Sequence, residues 1–260
     1  MFDRRHLLGA LASVLGLGAG EALGAVKHKK KKTTTRKRKT THRKTTHKKA
    51  VHHAPAPPPK PVIPDETAPT TKTALTAAFR TILNDLLTQS PTAATSFGMD
   101  KGDLAYLKAR LDDRSAAGLA ANQARLQKAV SLLQGLDRDV MNLSDRVNYD
   151  TVLWDLQTQL EGAKGFPFGD NGTAINLVFY APTPYVVSQL SGFGCVIPDF
   201  LNTQHTIAKE ADAQAYLSRL DAFAVALDQE TDRLRQDAAR GVTPPDFILK
   251  AAITQLSGLR

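Results

Sequence analysis

LAANQARLQKAVSLLQGL, residues 119–136, decides the fold class. Leu119, Leu126, Val130, Leu133 and Leu136 recur at intervals of 7, 4, 3 and 3, the spacing that lines one face of an α-helix. The same period appears on either side. Leu75, Phe79, Ile82, Leu83 and Leu86 form an earlier stripe, and Ser90-Pro91 reads as an N-cap followed by proline at the first position of a short helix. Tyr149, Leu153, Leu156 and Leu160 predict a helix from near Ser144 to Gly162. Tyr216, Leu220, Phe223, Leu227 and Leu234 predict another, ended by Gly241, the residue that most easily takes the left-handed terminal conformation. Thr243-Pro244-Pro245-Asp246 opens a fifth, with threonine capping, proline starting and aspartate near the positive helix end. The expected architecture is mainly α, a multi-helix antiparallel bundle over residues 65–260.

Gly165 to Ile207 breaks this pattern. Phe166-Pro167-Phe168-Gly169-Asp170-Asn171-Gly172 is turn chemistry, and Ile175 to Tyr180 suits a short extended piece. An irregular stretch of that length inside a helical body usually has a purpose, so a binding surface is expected there.

The body is poor in reactive groups. His205 is the one histidine after Asp65, and with the single cysteine, Cys195, it falls short of an ordinary zinc site. There is no His-Glu-x-x-His string, no Gly-x-Ser-x-Gly elbow and no Gly-x-x-x-x-Gly-Lys phosphate loop. Cys195 lies among apolar residues that favour an inert thiol, and no intramolecular disulfide is possible. Asp112-Asp113, beside Arg110 and Arg114, reads as a solvated charged turn, and Trp154 as core or groove lining.

The N-terminal quarter is of another kind. Residues 65–260 hold 18 Lys and Arg against 23 Asp and Glu, a net charge of −5, although the whole chain is +9. The excess lies in residues 27–64, where 14 Lys and Arg from Lys27 to Lys60 stand with no acidic residue. With almost nothing to bury, residues 26–64 are expected to be a disordered basic, Pro-rich linker. Anionic envelope polymers or lipid are candidate partners, and a solvated spacer is the alternative. No aromatic residue is present there to stack on a base, so specific nucleic-acid recognition is not expected, and five histidines would hold a metal only loosely. Residues 1–25 read as an export signal. Arg4-Arg5 precede 14 uncharged residues, too few for a comfortable membrane span, and the pair resembles a twin-arginine motif. An uncleaved anchor is the alternative, and either reading puts the protein in the periplasm or at the envelope.

Three blocks carry a family resemblance: Ser90 to Gly98; Pro184 to Gly192 running on through Pro198-Asp199-Phe200-Leu201-Asn202-Thr203-Gln204-His205; and Gly241 to Leu249. In this order they resemble the N-terminal half of the bacterial "domain of unknown function 885" family, over most of residues 73–260. The resemblance implies an exported, helical, zinc-metallopeptidase-like protein whose metal motif, a His-Glu pair followed by Pro-Gly-His-His, lies in the C-terminal half. Neither a His-Glu nor a Pro-Gly step occurs here, so no catalytic residue and no metal ligand is assigned. Zinc is expected only with the C-terminal half. The implied function is a front, non-catalytic half of a peptidase-like hydrolase, in truncated or split form, with its catalytic half or a second copy as partner. Tyr185, Gln189 and His205 are candidates for the substrate-facing wall, with an interior hydrogen-bonded role as the alternative for His205. If half a core is missing, Phe247, Ile248, Ile253 and Leu256 should be left exposed. The rival function is an envelope interaction protein that binds anionic polymers through the basic arm.

Overall fold

The computed structural model describes residues 62–170 and 183–259, and all statements below concern those residues. Seven α-helices follow in order: α1 Pro69–Gln89, α2 Pro91–Ser96, α3 Ala116–Gln134, α4 Leu143–Gly165, α5 Phe193–Thr203, α6 Glu210–Ala239 and α7 Asp246–Ser257. A 3-10 helix, Gly102–Ala109, stands between α2 and α3, and no strand occurs among the described residues. The export signal, Arg4 and Arg5, the arm from Lys27 to Lys60 and the extended piece expected at Ile175 to Tyr180 all lie outside these residues.

The five expected helices are present, and the apolar faces of three of them build the first core. Leu75, Phe79 and Ile82 of α1 meet Leu126, Val130 and Leu133 of α3 and Tyr149, Val152 and Leu156 of α4, with Met141 filling from the α3–α4 turn. Two caps are local. The Ser115 side chain accepts the Gly118 N–H at 3.1 Å, and Asn142 accepts the Asp145 N–H at 2.9 Å, each worth about 1 kcal/mol. Leu83 and Leu87 on the lower turns of α1 pack instead on Ala94 of α2 and Leu107 of the 3-10 helix. A third cluster joins Phe193, Ile197, Phe200 and Leu201 of α5 to Ala226 of α6.

Several expectations are corrected. Within the described part of the Gly165 to Ile207 stretch, Phe193, Ile197, Phe200 and Leu201 sit at helical spacing and form α5 despite Pro198 inside it. Burial of that stripe on α6 outweighs the lost backbone hydrogen bond. The last helix begins at Asp246 with Pro245 as its N-cap residue, so Thr243 lies outside it. Ser90 stands at the N-cap position but makes no side-chain cap; its hydroxyl donates to Asp112 Oδ2 at 2.6 Å. Trp154 is not core: it is 67% exposed on the outer face of α4.

The α6 stripe needs the largest revision. Tyr216, Phe223, Leu227 and Leu234 are half-buried and Leu220 is exposed. The fully buried line is Asp212, Ala215, Arg219, Ala226, Glu230, Arg233 and Asp237, which also has helical spacing. Five of those seven are ionisable, so the inner face of α6 is a charged face held by partners. The helix ends as expected: Gly241 takes φ 83°, and the Val242 N–H closes on the Asp237 carbonyl at 2.9 Å.

Candidate functional site

The charged face of α6 organises two clusters. In the first, Arg114, on the loop before α3, places Nε 2.8 Å from Glu230 Oε1 and Nη2 2.7 Å from Asp170 Oδ1. Its guanidinium also lies 4.7 Å over the Phe193 ring. Glu230 accepts the Phe193 N–H at 2.9 Å and 3.1 Å on its two oxygens, which satisfies the first N–H of α5 with a buried carboxylate. Burial pushes the Glu230 carboxyl up against the opposing pull of Arg114. Burial likewise works against the Arg114 charge, but Asp170 and Glu230 outweigh it and hold this guanidinium protonated more firmly than usual.

Arg233 and Asp237, three and seven residues further along α6, clamp the turn after α4. Arg233 Nη2 donates to the Gly169 carbonyl, and Asp237 Oδ2 accepts the Gly169 N–H at 2.8 Å. Asp170 N–H in turn donates to the Thr183 carbonyl at 2.9 Å, bringing the two chain segments together. Gly169 has φ 67°, and a Cβ there would lie 2.5 Å from the Thr183 oxygen and the Pro184 carbonyl carbon. Only glycine fits this crossing. Arg233 Nη1 is buried without a hydrogen-bond partner, and burial, followed by the neighbouring Arg114 charge, lowers the Arg233 pKa.

The second cluster surrounds Arg219, whose side chain is fully buried. Its Nε donates to the Arg110 carbonyl at 2.9 Å, Nη2 to Thr95 Oγ1 at 2.6 Å and the Leu107 carbonyl at 3.3 Å, and Nη1 to His205 Nδ1 at 2.8 Å. Because guanidinium can only donate, His205 Nδ1 must accept, and Nε2–H then donates to the Asp212 carbonyl at 2.9 Å. Burial pulls the Arg219 pKa down to about 10. Asp212 is held down to about 2, first by Lys108 Nζ at 2.7 Å and then by the Ala208 N–H.

Asp112, expected on a solvated turn, instead joins helices. Its Oδ1 accepts from the Thr92 N–H at 2.9 Å and from Thr92 Oγ1 at 2.8 Å, so a residue twenty positions away caps α2. Burial raises its pKa against the lowering effect of these bonds. Arg114 is buried as well, as the ionic cluster requires.

Among the described residues His205 shares no hydrogen-bond partner with Tyr185 or Gln189. His205 is buried, with both ring nitrogens engaged and its ring edge-on to Tyr216 at 5.4 Å, the arrangement of an interior histidine. Tyr185 and Gln189 share the 183–192 loop and are half-buried. The Tyr185 carbonyl accepts from Thr183 Oγ1 at 3.0 Å. The Gln189 carbonyl accepts from Gln255 Nε2 of α7 at 3.1 Å and from the Cys195 thiol at 3.4 Å, while its side-chain Oε1 is a buried acceptor without a partner. Burial raises the Cys195 pKa, which keeps the thiol protonated and a poor nucleophile.

Beside that loop stands α7, attached by little. Ala252 is its one buried residue, whereas Phe247 is 68% and Ile253 61% exposed, with Leu249 and Leu256 also exposed and Ile248 half-buried. Among the described residues no group of three or more His, Cys, Asp and Glu side chains could hold a metal ion. No described helix is long and apolar enough to cross a membrane.

Residues 91–260 match the family described as bacterial protein of unknown function (DUF885). The chain belongs to the DUF885 family. No curated protein and no solved structure matches it. The match begins at Pro91, so α1 precedes the DUF885 region while supplying much of its core. Both ionic clusters fall within the DUF885 region. Arg219, Glu230, Arg233 and Asp237 drew no attention from sequence, and Arg114 only as a neighbour on a solvated turn, because charged residues are assigned to solvent by default. The available signal was their own spacing: Arg219, Ala226, Glu230, Arg233 and Asp237 step by 7, 4, 3 and 4.

The His205 geometry has a consequence for acid stability. Burial first, and then the Arg219 and Lys108 charges, hold the imidazole below its ordinary 6.5, against the raising effect of the Asp212 carbonyl and carboxylate. The unfolded chain therefore takes up a proton before the folded one does. The contribution is complete above about pH 6.5 and is lost as pH falls through the lower folded value. Urea midpoints measured at pH 8 and pH 5.5 should differ more in the natural protein than in His205→Gln; equal differences would remove His205 from the acid response.

Proposed function

We propose that the DUF885 domain of this protein is a non-catalytic helical module that packs, through α7 and the 183–192 loop, against a second, peptidase-like domain. The exposed apolar surface of α7 carries this reading. A twelve-residue helix with one buried side chain, on which Phe247 and Ile253 are 68% and 61% exposed while Leu256 reaches Gly194 of α5, is incompletely covered. Gln189 adds support, since its backbone is tied to α7 while its side-chain oxygen still lacks a donor. Tyr185 and Gln189 would then stand at the seam between the two domains, where a substrate cleft would be walled, and His205 would brace that wall from inside. Any zinc would be held by the second domain.

The purified chain should bind an apolar fluorescent dye or self-associate, and Phe247→Glu with Ile253→Glu should abolish both without loss of helix content by circular dichroism. A monodisperse monomer that binds no dye overturns the docking surface. Zinc-dependent peptide cleavage by the chain alone overturns the non-catalytic assignment.

A second reading concerns the arm: an envelope tether in which the protein is exported through a twin-arginine signal at Arg4-Arg5 and held by anionic polymers or lipid. Its support is the density of charge, 14 Lys and Arg without an acid over residues 27–64, joined to a body of net charge −5.

A further inference from the structure

We infer that the outer face of α4 is a membrane-contact face, and that it lies shallowly in an anionic lipid surface when the arm is bound there; the inference rests on the envelope-tether reading. Leu143, Val147 and Trp154 are 62%, 54% and 67% exposed. At about 100° per residue they fall within about 40° of one another around the helix, spread over about 16 Å of its length. The opposite face carries Tyr149, Val152 and Leu156 into the core, so α4 cannot roll to hide them.

The path of the chain links this stripe to the cationic segment. Thr67 is buried against the start of α4: its Oγ1 donates to Asp145 Oδ2 at 2.5 Å and accepts the Asn142 N–H at 2.9 Å. The Ala68 N–H also bonds the Val140 carbonyl at 3.1 Å. The polypeptide therefore joins the body beside Leu143. Lys60 is seven residues before Thr67, a reach of at most about 25 Å by chain geometry alone, and the other thirteen cations end at Lys49, eighteen residues before Thr67, a reach of at most about 65 Å. A surface that holds the arm is thus within reach of the stripe.

The chemistry favours lipid over a protein partner. Three side chains in a narrow line are far short of the roughly 800 Å² per partner of a standard protein interface. A shallow apolar insertion is, in contrast, adequate when a polybasic segment supplies the second attachment. Tryptophan also prefers the boundary between headgroup and acyl chain. Asp150, on the same side of α4, is neutralised by Arg138 at 2.6 Å, but Glu161 and the acidic body oppose docking by the stripe alone. Both attachments are needed.

Trp154 is the chain's single tryptophan, so it reports on its own surroundings. The full chain is mixed at low salt with vesicles of two parts phosphatidylcholine to one part phosphatidylglycerol, or of phosphatidylcholine alone. Sedimentation with the anionic vesicles is expected, with a blue shift of the emission, quenching by brominated acyl chains and release by salt. Val147→Glu, at an exposed site, should keep its helix content, lose the quenching and weaken partitioning by about tenfold. Sedimentation with unchanged Trp154 emission overturns the α4 inference and leaves the arm reading standing. No sedimentation at low salt overturns both, and equal insertion into phosphatidylcholine alone overturns the joint role of charge and stripe.

Discussion

Arg219→Ala should destabilise the folded domain by about 4 kcal/mol, enough to unfold much of the population of a marginally stable protein. Arg219 is fully buried and is a hub for four separate pieces of chain: Thr95 of α2, Leu107 of the 3-10 helix, Arg110 beyond it and His205 before α6. Its guanidinium also lies 4.9 Å over the Phe200 ring of α5. Truncation leaves the buried imidazole Nδ1 and the part-buried Arg110 carbonyl without this donor, each costing about 1–3 kcal/mol before relaxation, while the Leu107 carbonyl keeps the Arg110 N–H at 3.0 Å. It also opens a cavity the size of a long side chain. Arg219→Lys restores a charge but supplies one point donor in place of a planar fork, so it should recover less than half of the loss. Urea denaturation followed at 222 nm measures both; a loss below about 1 kcal/mol for the alanine variant would mean that the hub is dispensable.

The first core was legible in sequence because it follows one rule throughout. Leu75, Phe79 and Ile82, Leu126, Val130 and Leu133, and Tyr149 and Leu156 are apolar at helical spacing, and each of these is buried. The same rule misread α6, where the leucines and aromatics occupy the shoulder of the helix and charged residues occupy its centre line. Nothing in the composition says which of two adjacent stripes faces inward; that depends on partners arriving from distant segments. Arg114 is more than a hundred positions from Glu230, and Thr95 is equally remote from Arg219. Asp112 failed for a similar reason, since its role as the cap of α2 depends on a meeting that neither segment announces. The candidate wall was legible only as a segment. Phe166 to Gly172 reads as a turn, and within its described part Gly169 makes one, yet the charged side chains that fix it come from α6. Trp154 shows the opposite limit: its place on a helix was clear, while its outward direction followed from Tyr149, Val152 and Leu156 claiming the inner face.

Glu230→Ala should cost about 3–5 kcal/mol, as expected when one member of a buried ion pair is removed and the other stays behind. Two groups lose a partner at once. Arg114 keeps Asp170 at 2.7 Å but loses the carboxylate on its Nε, and the Phe193 N–H, buried at the first turn of α5, loses both of its acceptors. The consequence should reach the loop that carries Tyr185 and Gln189, because α5 begins where that loop ends and Gly192 packs against Glu230 Oε2. Glu230→Gln separates charge from shape. Its amide oxygen at the Oε1 position can still accept both the Arg114 Nε–H and the Phe193 N–H, but its amide nitrogen then replaces the second acceptor of Phe193 and the charge is lost, so a loss of about 2 kcal/mol is expected. The burial that raises the Glu230 pKa adds a pH signature. A carboxyl whose folded pKa exceeds its unfolded one contributes stability that is present at low pH and lost as pH rises through the folded value. Glu230→Gln should remove that slope, while Glu230→Asp, which is charged but one methylene short, should keep it. A cycle with Arg114→Met then tests the pairing itself: the double variant Arg114→Met with Glu230→Met should be less destabilised than the sum of the two single changes by about 1–3 kcal/mol. Simple additivity would show that Arg114 and Glu230 act independently, and that the start of α5 is held by the Phe193 backbone bond alone.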